Sequence, residues 1–146
     1  MDRERGWWPG DDRGQALVET ALAIPVVLVI AIGVVLAGRV VYAEVAVQAV
    51  AREAGRSLAV APSREQGLAA AAANGRAVAD GHGLDASRLM LELDPGAFER
   101  GGTARVHASY VVALGALPLF GSVSVTVTAE REQRIEQYRS RTGATP

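Results

Sequence analysis

Residues 21–38 read ALAIPVVLVIAIGVVLAG, eighteen positions without a charge, eleven of them Val, Ile or Leu. As a helix at 1.5 Å per residue this run is about 27 Å long, close to the thickness of a bilayer core. Each of the eleven favours insertion by about 0.3–0.6 kcal/mol, several kcal/mol together. Pro25 and Gly33 weaken a helix in water but are tolerated in lipid, where neighbouring groups satisfy the freed backbone. A buried core helix would need a shell on every side, and the rest of the chain is too small to supply it. The run therefore predicts a membrane-spanning helix. A cleaved secretory signal competes, with Val35-Leu36-Ala37 as its cut. Against it, the run exceeds the usual 7–15 residues and Glu19 stands near its start. Charge leaves orientation nearly tied: Arg3, Arg5 and Arg13 precede the run, and Arg39, Arg52 and Arg56 follow it.

Helical character continues outward from the run. Between Val40 and Val60 there is no Pro, and the only Gly is Gly55. Glu44, Gln48, Arg52 and Arg56 fall four apart in a polar stripe. Ala43, Val47, Val50 and Ala54 keep helical spacing on another side. The spacing predicts one helix over about residues 15–60, half in lipid and half amphipathic, with an apolar stripe that needs a cover.

Ala61-Pro62 ends this helix. Ser63-Arg64-Glu65-Gln66 then has the form of a capping box, with Ser63 as N-cap and Gln66 reaching back. The Ala-rich stretch to Ala79 makes a second helix, which Asp80-Gly81-His82-Gly83 closes with a glycine for the left-handed cap.

Beyond it the period falls from 3.6 to 2. Leu89, Leu91 and Leu93 alternate with polar neighbours. So do Ala104, Val106, Ala108, Tyr110 and Val112, and then Val123, Val125, Val127 and Ala129. Three alternating strands predict a sheet with one buried face. The expected contacts to the outer half of the first helix run through Leu91, Val106, Val125 and Val127. Leu117-Pro118-Leu119-Phe120-Gly121 reads as an apolar loop packed over the sheet edge. The charge-alternating residues 130–141 read as a tail, and 142–146 as disordered. The fold class is α+β: a long membrane helix extended outward, a second short helix, and a small three-stranded antiparallel sheet packed on the helix. The expected divisions are a leader over 1–14, the span over 15–38, its outer continuation over 39–60, the α+β domain over 61–141 and the tail.

Composition narrows the chemistry. The chain has no cysteine, which removes disulfides, thiolate metal sites and cysteine nucleophiles. Net charge is -1, so no basic face is suggested and nucleic acid is not an expected partner. All 15 basic residues are Arg, which with the abundance of Ala, Val and Gly reads as the coding bias of a GC-rich genome. His82 falls in a Gly-rich loop and His107 on the polar side of a strand, both as surface residues. Asp80, His82 and Asp85 lack the spacing of a calcium loop and the partners of a zinc site. Ser109, Ser122 and Ser124 lack a nucleophile elbow. Glu92 and Asp94 read as a solvated strand edge. The expectation is a non-enzyme with no cofactor and no metal.

One constellation remains. Gly14 is followed five positions on by Glu19, at the head of the apolar run. The stretch 13–25, RGQALVETALAIP, resembles the start of the TadE-like family of Flp (tight adherence) pilus assembly proteins, whose N-terminus is type IV pilin-like. The likeness continues through Gly38-Arg39, Tyr42-Ala43 and residues 49–56, AVAREAGR, and more weakly in residues 136–141, EQYRSR. Thr20 stands where the family often has an aromatic residue, and Gln15 where pilins carry Phe. The resemblance implies a minor pilin-like protein of the cytoplasmic membrane, single-pass, N-terminus cytoplasmic and C-terminal domain extracytoplasmic. Its partners would be other pilin-like subunits, pilus assembly proteins and membrane lipid. It also implies a prepilin peptidase cut between Gly14 and Gln15. The new amine at Gln15 would then pair with Glu19 of a neighbouring subunit, since a carboxylate at the head of a span is costly alone. The competing function is a membrane-anchored extracytoplasmic binding module with no pilus role.

Overall fold

A computed structural model describes residues 12–99, 101–117 and 121–135. The elements run α1 (Asp12–Val60), α2 (Arg64–Gly81), a 3-10 turn (Ala86–Arg88), β1 (Leu89–Asp94), β2 (Thr103–Leu117) and β3 (Gly121–Arg134). The chain divides into two units, Met1–Ala37 and Gly38–Pro146. The Trp7-Trp8 pair, the centre of the expected apolar loop at Pro118, Leu119 and Phe120, the residues 136–141 and the tail 142–146 lie outside the described residues, as does most of the leader.

In the first unit α1 exposes its apolar side chains on every side. Leu22, Val29 and Val34 are 70%, 70% and 67% exposed. Burying a side chain of this kind gains about 1.5–3 kcal/mol, so leaving many in water would forgo more than the whole stability of a domain. Thr20, the polar side chain next to the run, donates its hydroxyl to the Ala16 carbonyl at 2.8 Å and so keeps its hydrogen bond inside the helix. α1 is long and apolar enough to cross a membrane.

In the second unit the rest of α1 and α2 cover one face of an antiparallel sheet of order β1-β2-β3. The stripe Ala43, Val47, Val50, Ala54 is buried, joined by Ala46, Ala51 and Leu58. Small residues bring the layers close. A Cβ on Gly55 would lie 3.9 Å from Val106 of β2, and one on Gly75 of α2 would meet both Leu91 of β1 at 3.0 Å and Ala54 of α1 at 3.4 Å. Of the four side chains expected to carry the contact, Val106 and Val127 are buried. Leu91 and Val125 are half-buried, because they lie toward the margins of the covered face.

Ser63 caps α2 as expected, and of the capping box the bond to its side chain is the one formed. Ser63 Oγ accepts from the Gln66 N–H at 3.3 Å. At the other end of α2, Gly83 adopts φ +67, the Gly83 N–H donates to Asp80 O at 2.8 Å and the Leu84 N–H to Ala79 O at 2.9 Å. That pair of bonds is a Schellman motif, and Leu84 and Ala79 are both buried beneath it.

Three boundaries differ from the sequence reading. α1 begins at Asp12 rather than Gln15, because Gly14 costs a helix only about 1 kcal/mol against Ala and the long helix absorbs it. β3 does not stop at Ala129: Glu130 to Arg134 pair with His107 back to Thr103, so the first five residues of the expected charged tail are strand. β2 runs to Leu117 and meets Gly121, which places both ends of the expected apolar loop in the ladder.

Candidate functional site

The residues that the sequence singles out, Gly14, Gln15 and Glu19, all lie in the opening turns of α1 and all are exposed. The Gly14–Gln15 peptide is helical, two residues after the helix begins. Glu19 stands seven residues in. A cut after Gly14 would make Glu19 the fifth residue, closer to the positive end. No other described side chain forms an ion pair with Glu19, and the next charge along the helix is Arg39. The carboxylate thus stands at the margin of a nineteen-residue uncharged run, 20–38.

Residues 14–56 match the family model described as TadE-like protein. This is the family that the residues around Gly14 and Glu19 resemble, and the match covers less than a third of the chain. The TadE-like segment opens on Gly14, takes in the whole apolar run and ends at Arg56, inside the part of α1 that packs on the sheet. No curated protein and no solved structure matches the chain.

Within the TadE-like segment and one residue beyond its end, two contacts tie α1 to the domain. Tyr42 donates its hydroxyl to the His82 carbonyl at 3.2 Å, and the same oxygen lies 3.5 Å from His82 Nδ1, the rings edge-on at 6.0 Å. His82, read from sequence as a loop residue, caps α2 and docks on α1. The pairing is invisible in sequence because forty residues separate the partners. The second contact is polar and lies one turn before the end of the match. Glu53 accepts from Arg56 Nη2 at 2.7 Å and Nε at 3.0 Å. The buried Ser57 hydroxyl lies 3.4 Å from Glu53 and accepts from Asn74 Nδ2 of α2 at 2.9 Å. The Arg56 hydrogen bonds hold the Glu53 carboxyl below its ordinary range, against an opposing push from burial.

The outer sheet face carries charge in register. Glu92, His107 and Glu130 form one row across the three strands, and Asp94, Arg105 and Glu132 the next. Arg105 Nε donates to Glu132 Oε1 at 2.6 Å, and this bond raises the guanidinium further above its ordinary value. His107 thus lies on the polar face, as its strand position indicates, and Glu92 and Asp94 face basic partners across the ladder. Among the described residues no three His, Asp or Glu side chains are placed to hold a metal ion. Near the 3-10 turn, Asp85 accepts from the Ser87 hydroxyl at 2.6 Å and the Ser87 N–H at 2.9 Å, which lowers its carboxyl below the usual range.

Proposed function

We propose that this protein is a non-enzymatic, minor pilin-like component acting in assembly of a Flp-type pilus or a related secretion apparatus. It is anchored by a single pass of α1 in the cytoplasmic membrane, with the leader cytoplasmic and the sheet domain extracytoplasmic. The observation that carries this reading is the TadE-like match over residues 14–56, which joins Gly14 and Glu19 to an uncharged helix long enough to span a bilayer.

The physics of the segment supports it. A small residue before the cut avoids crowding a peptidase, and Gly14 supplies one between a polar leader and an apolar helix. Cutting there creates an α-amino group at Gln15. In lipid that amine and the Glu19 carboxylate are each expensive alone and cheaper paired. Pairing between subunits would set the axial register of helix against helix.

The test is recovery of partner pilin-like subunits with Glu19→Ala protein, beside intact mass of the wild type and of a Gly14→Leu variant. Glu19→Ala is expected to insert normally but recover no partners. The wild type is expected to lose residues 1–14 and Gly14→Leu to keep them. Undiminished partner recovery would leave Glu19 a hydrated bystander, and an uncut wild type would remove the amine from the mechanism.

A further inference from the structure

The β2–β3 hairpin outruns the rest of its sheet at one end. β1 stops pairing at Leu89↔Tyr110, and beyond it β2 and β3 continue alone from Val111↔Thr126 to Leu117↔Gly121. A two-stranded ribbon is marginal by itself, so this end needs a neighbour. Charge along the hairpin is uneven in the same sense. Residues 108–129 carry none, whereas Arg105, Glu130, Arg131, Glu132 and Arg134 crowd the opposite end. Asp85 and Arg88, at the start of β1, stand seven residues short of the hairpin's last rung.

Contacts within the sheet domain show which way the uncharged end points. Gly55 of α1 packs at Val106 of β2. Toward the other end of α1's outer part, Tyr42 meets His82, and Asp85 donates its N–H to the Tyr110 hydroxyl at 3.3 Å. Further along both elements, Val40 and Leu114 are half-buried against the same core. β2 therefore runs antiparallel to α1, and its last residues lie toward Gly38. The lengths agree: Val106 to Leu117 covers about 36 Å of strand against about 26 Å of helix from Gly55 to Gly38, and the excess leaves room for inclination of strand to helix. Gly38 is also where the uncharged run 20–38 ends, so the uncharged end of the hairpin and the boundary of the span fall at one level. Exposed side chains near this level suit an interface: Val41, Tyr42 and Val45 on α1 and Val111 on β2, with Arg39 on a stem long enough to reach a phosphate.

We propose that the end of the β2–β3 hairpin rests on the surface of the bilayer that α1 spans, as a second contact of the chain with lipid. Lipid is the occupant because the chain itself brings the membrane to this level, whatever else it binds. The contact rests on the single-pass anchoring by α1 proposed above and requires no role in pilus assembly. Its depth follows from the backbone. Both edges of the ribbon keep unpaired N–H and C=O groups, which hydrocarbon cannot satisfy. The hairpin end therefore lies in the headgroup layer, where water and phosphate esters meet those groups, and stays out of the core.

The chain has no cysteine, so a single introduced thiol can be labelled alone. Ser122, Thr126 and Glu130 are exposed along β3, and Val29 is exposed at the centre of the uncharged run. Full-length Ser122→Cys, Thr126→Cys, Glu130→Cys and Val29→Cys chains are each labelled with the fluorophore NBD and reconstituted in phosphatidylcholine–phosphatidylglycerol vesicles. A fraction of the lipid carries a nitroxide quencher, either near the head of its acyl chain or near its end. The Ser122 probe is expected to lose most of its fluorescence to the shallow nitroxide and little to the deep one. Thr126 should lose less and Glu130 none, since Glu130 lies about 26 Å along the strand from Ser122. Val29 should respond most to the deep nitroxide. A Ser122 probe quenched no more than Glu130, beside a quenched Val29, would overturn the hairpin contact and leave the anchor standing. The same unquenched Ser122 probe with blue-shifted emission would overturn it in favour of a protein cover. An unquenched Val29 probe would overturn the anchor and the contact together.

Discussion

Residues 21–37 and 43–59 belong to one helix and are both rich in Ala and Val, yet they bury nothing alike. In the first stretch the apolar residues come without a period, and every large one but the half-buried Leu36 is exposed. In the second they recur at three and four, and Ala43, Ala46, Val47, Val50, Ala51, Ala54 and Leu58 are all buried while Glu44, Arg52 and Arg56 stay out. A helix apolar all round asks for an apolar solvent. A helix with a stripe asks for a protein partner, which α2 and the sheet supply. The difference lies in arrangement as well as in composition: the first stretch has no charge, and the second carries Glu44, Arg52, Glu53 and Arg56.

A charge placed in each region should break the comparison most visibly. Val106→Asp puts an unpaired carboxylate where the covered face is fully buried, and is expected to cost the sheet domain about 3–5 kcal/mol. Val29→Asp, at a position 70% exposed, should leave the domain's thermal unfolding unchanged. It should instead lower the fraction retained in carbonate-washed membranes, since a central Asp costs a span about 2.5–3.5 kcal/mol. Thermal unfolding of the detergent-solubilised chain and the carbonate pellet read the two effects separately. A Val29→Asp chain that unfolds early would show that the regions do not divide as their burial indicates.

Glycines sharpen the contrast at smaller amplitude. A Cβ on Gly33 meets nothing within 4 Å, so Gly33→Ala should only gain helix propensity, up to about 1 kcal/mol. A Cβ on Gly67 of α2 would lie 3.1 Å from both Ala61 Cβ and Leu58 Cδ1 and 3.3 Å from the Leu58 carbonyl. Backbone cannot yield as a side-chain tip can, so Gly67→Ala is expected to destabilise the domain by about 1–3 kcal/mol despite the same gain. Equal melting temperatures for Gly67→Ala and wild type would mean that α2 stands off further from α1.

Much of this was legible in the chain. The apolar run, the stripe, the Ser63 cap, the glycine at 83 and the three alternations are local patterns, and each depends on neighbours within a few residues. What escaped depends on distant ones. Glu130 to Arg134 look like a solvated tail until β2's first residues pair with them. The 3-10 turn at Ala86–Arg88 is held by Asp85, a residue equally at home in any loop. Tyr42 gives no sign of seeking His82. The site was legible in part: Gly14 and Glu19 stand out by spacing, but the helix that starts at Asp12 and carries the Gly14 peptide does not, since Asp12, Arg13 and Gly14 look like a leader's end.

The smallest expected effect separates the regions by pH. Glu53 is lowered first by the hydrogen bonds from Arg56, and Asp85 first by the Ser87 hydroxyl. A carboxyl whose folded value lies below its unfolded one adds stability that is complete above the unfolded value and is lost as pH falls through the folded one. Both groups lie in the sheet domain and both act in the same direction. Acidification from neutral pH should therefore leave the melting temperature flat until the ordinary carboxylate range, then lower it. Asp85 is exposed and Glu53 only half-buried, so the fall should be shallow. Glu53→Gln and Asp85→Asn should each flatten the acid limb while lowering the neutral plateau slightly. The decisive comparison is the double variant: if its acid limb remains as steep as the wild type's, the proton uptake belongs to other groups.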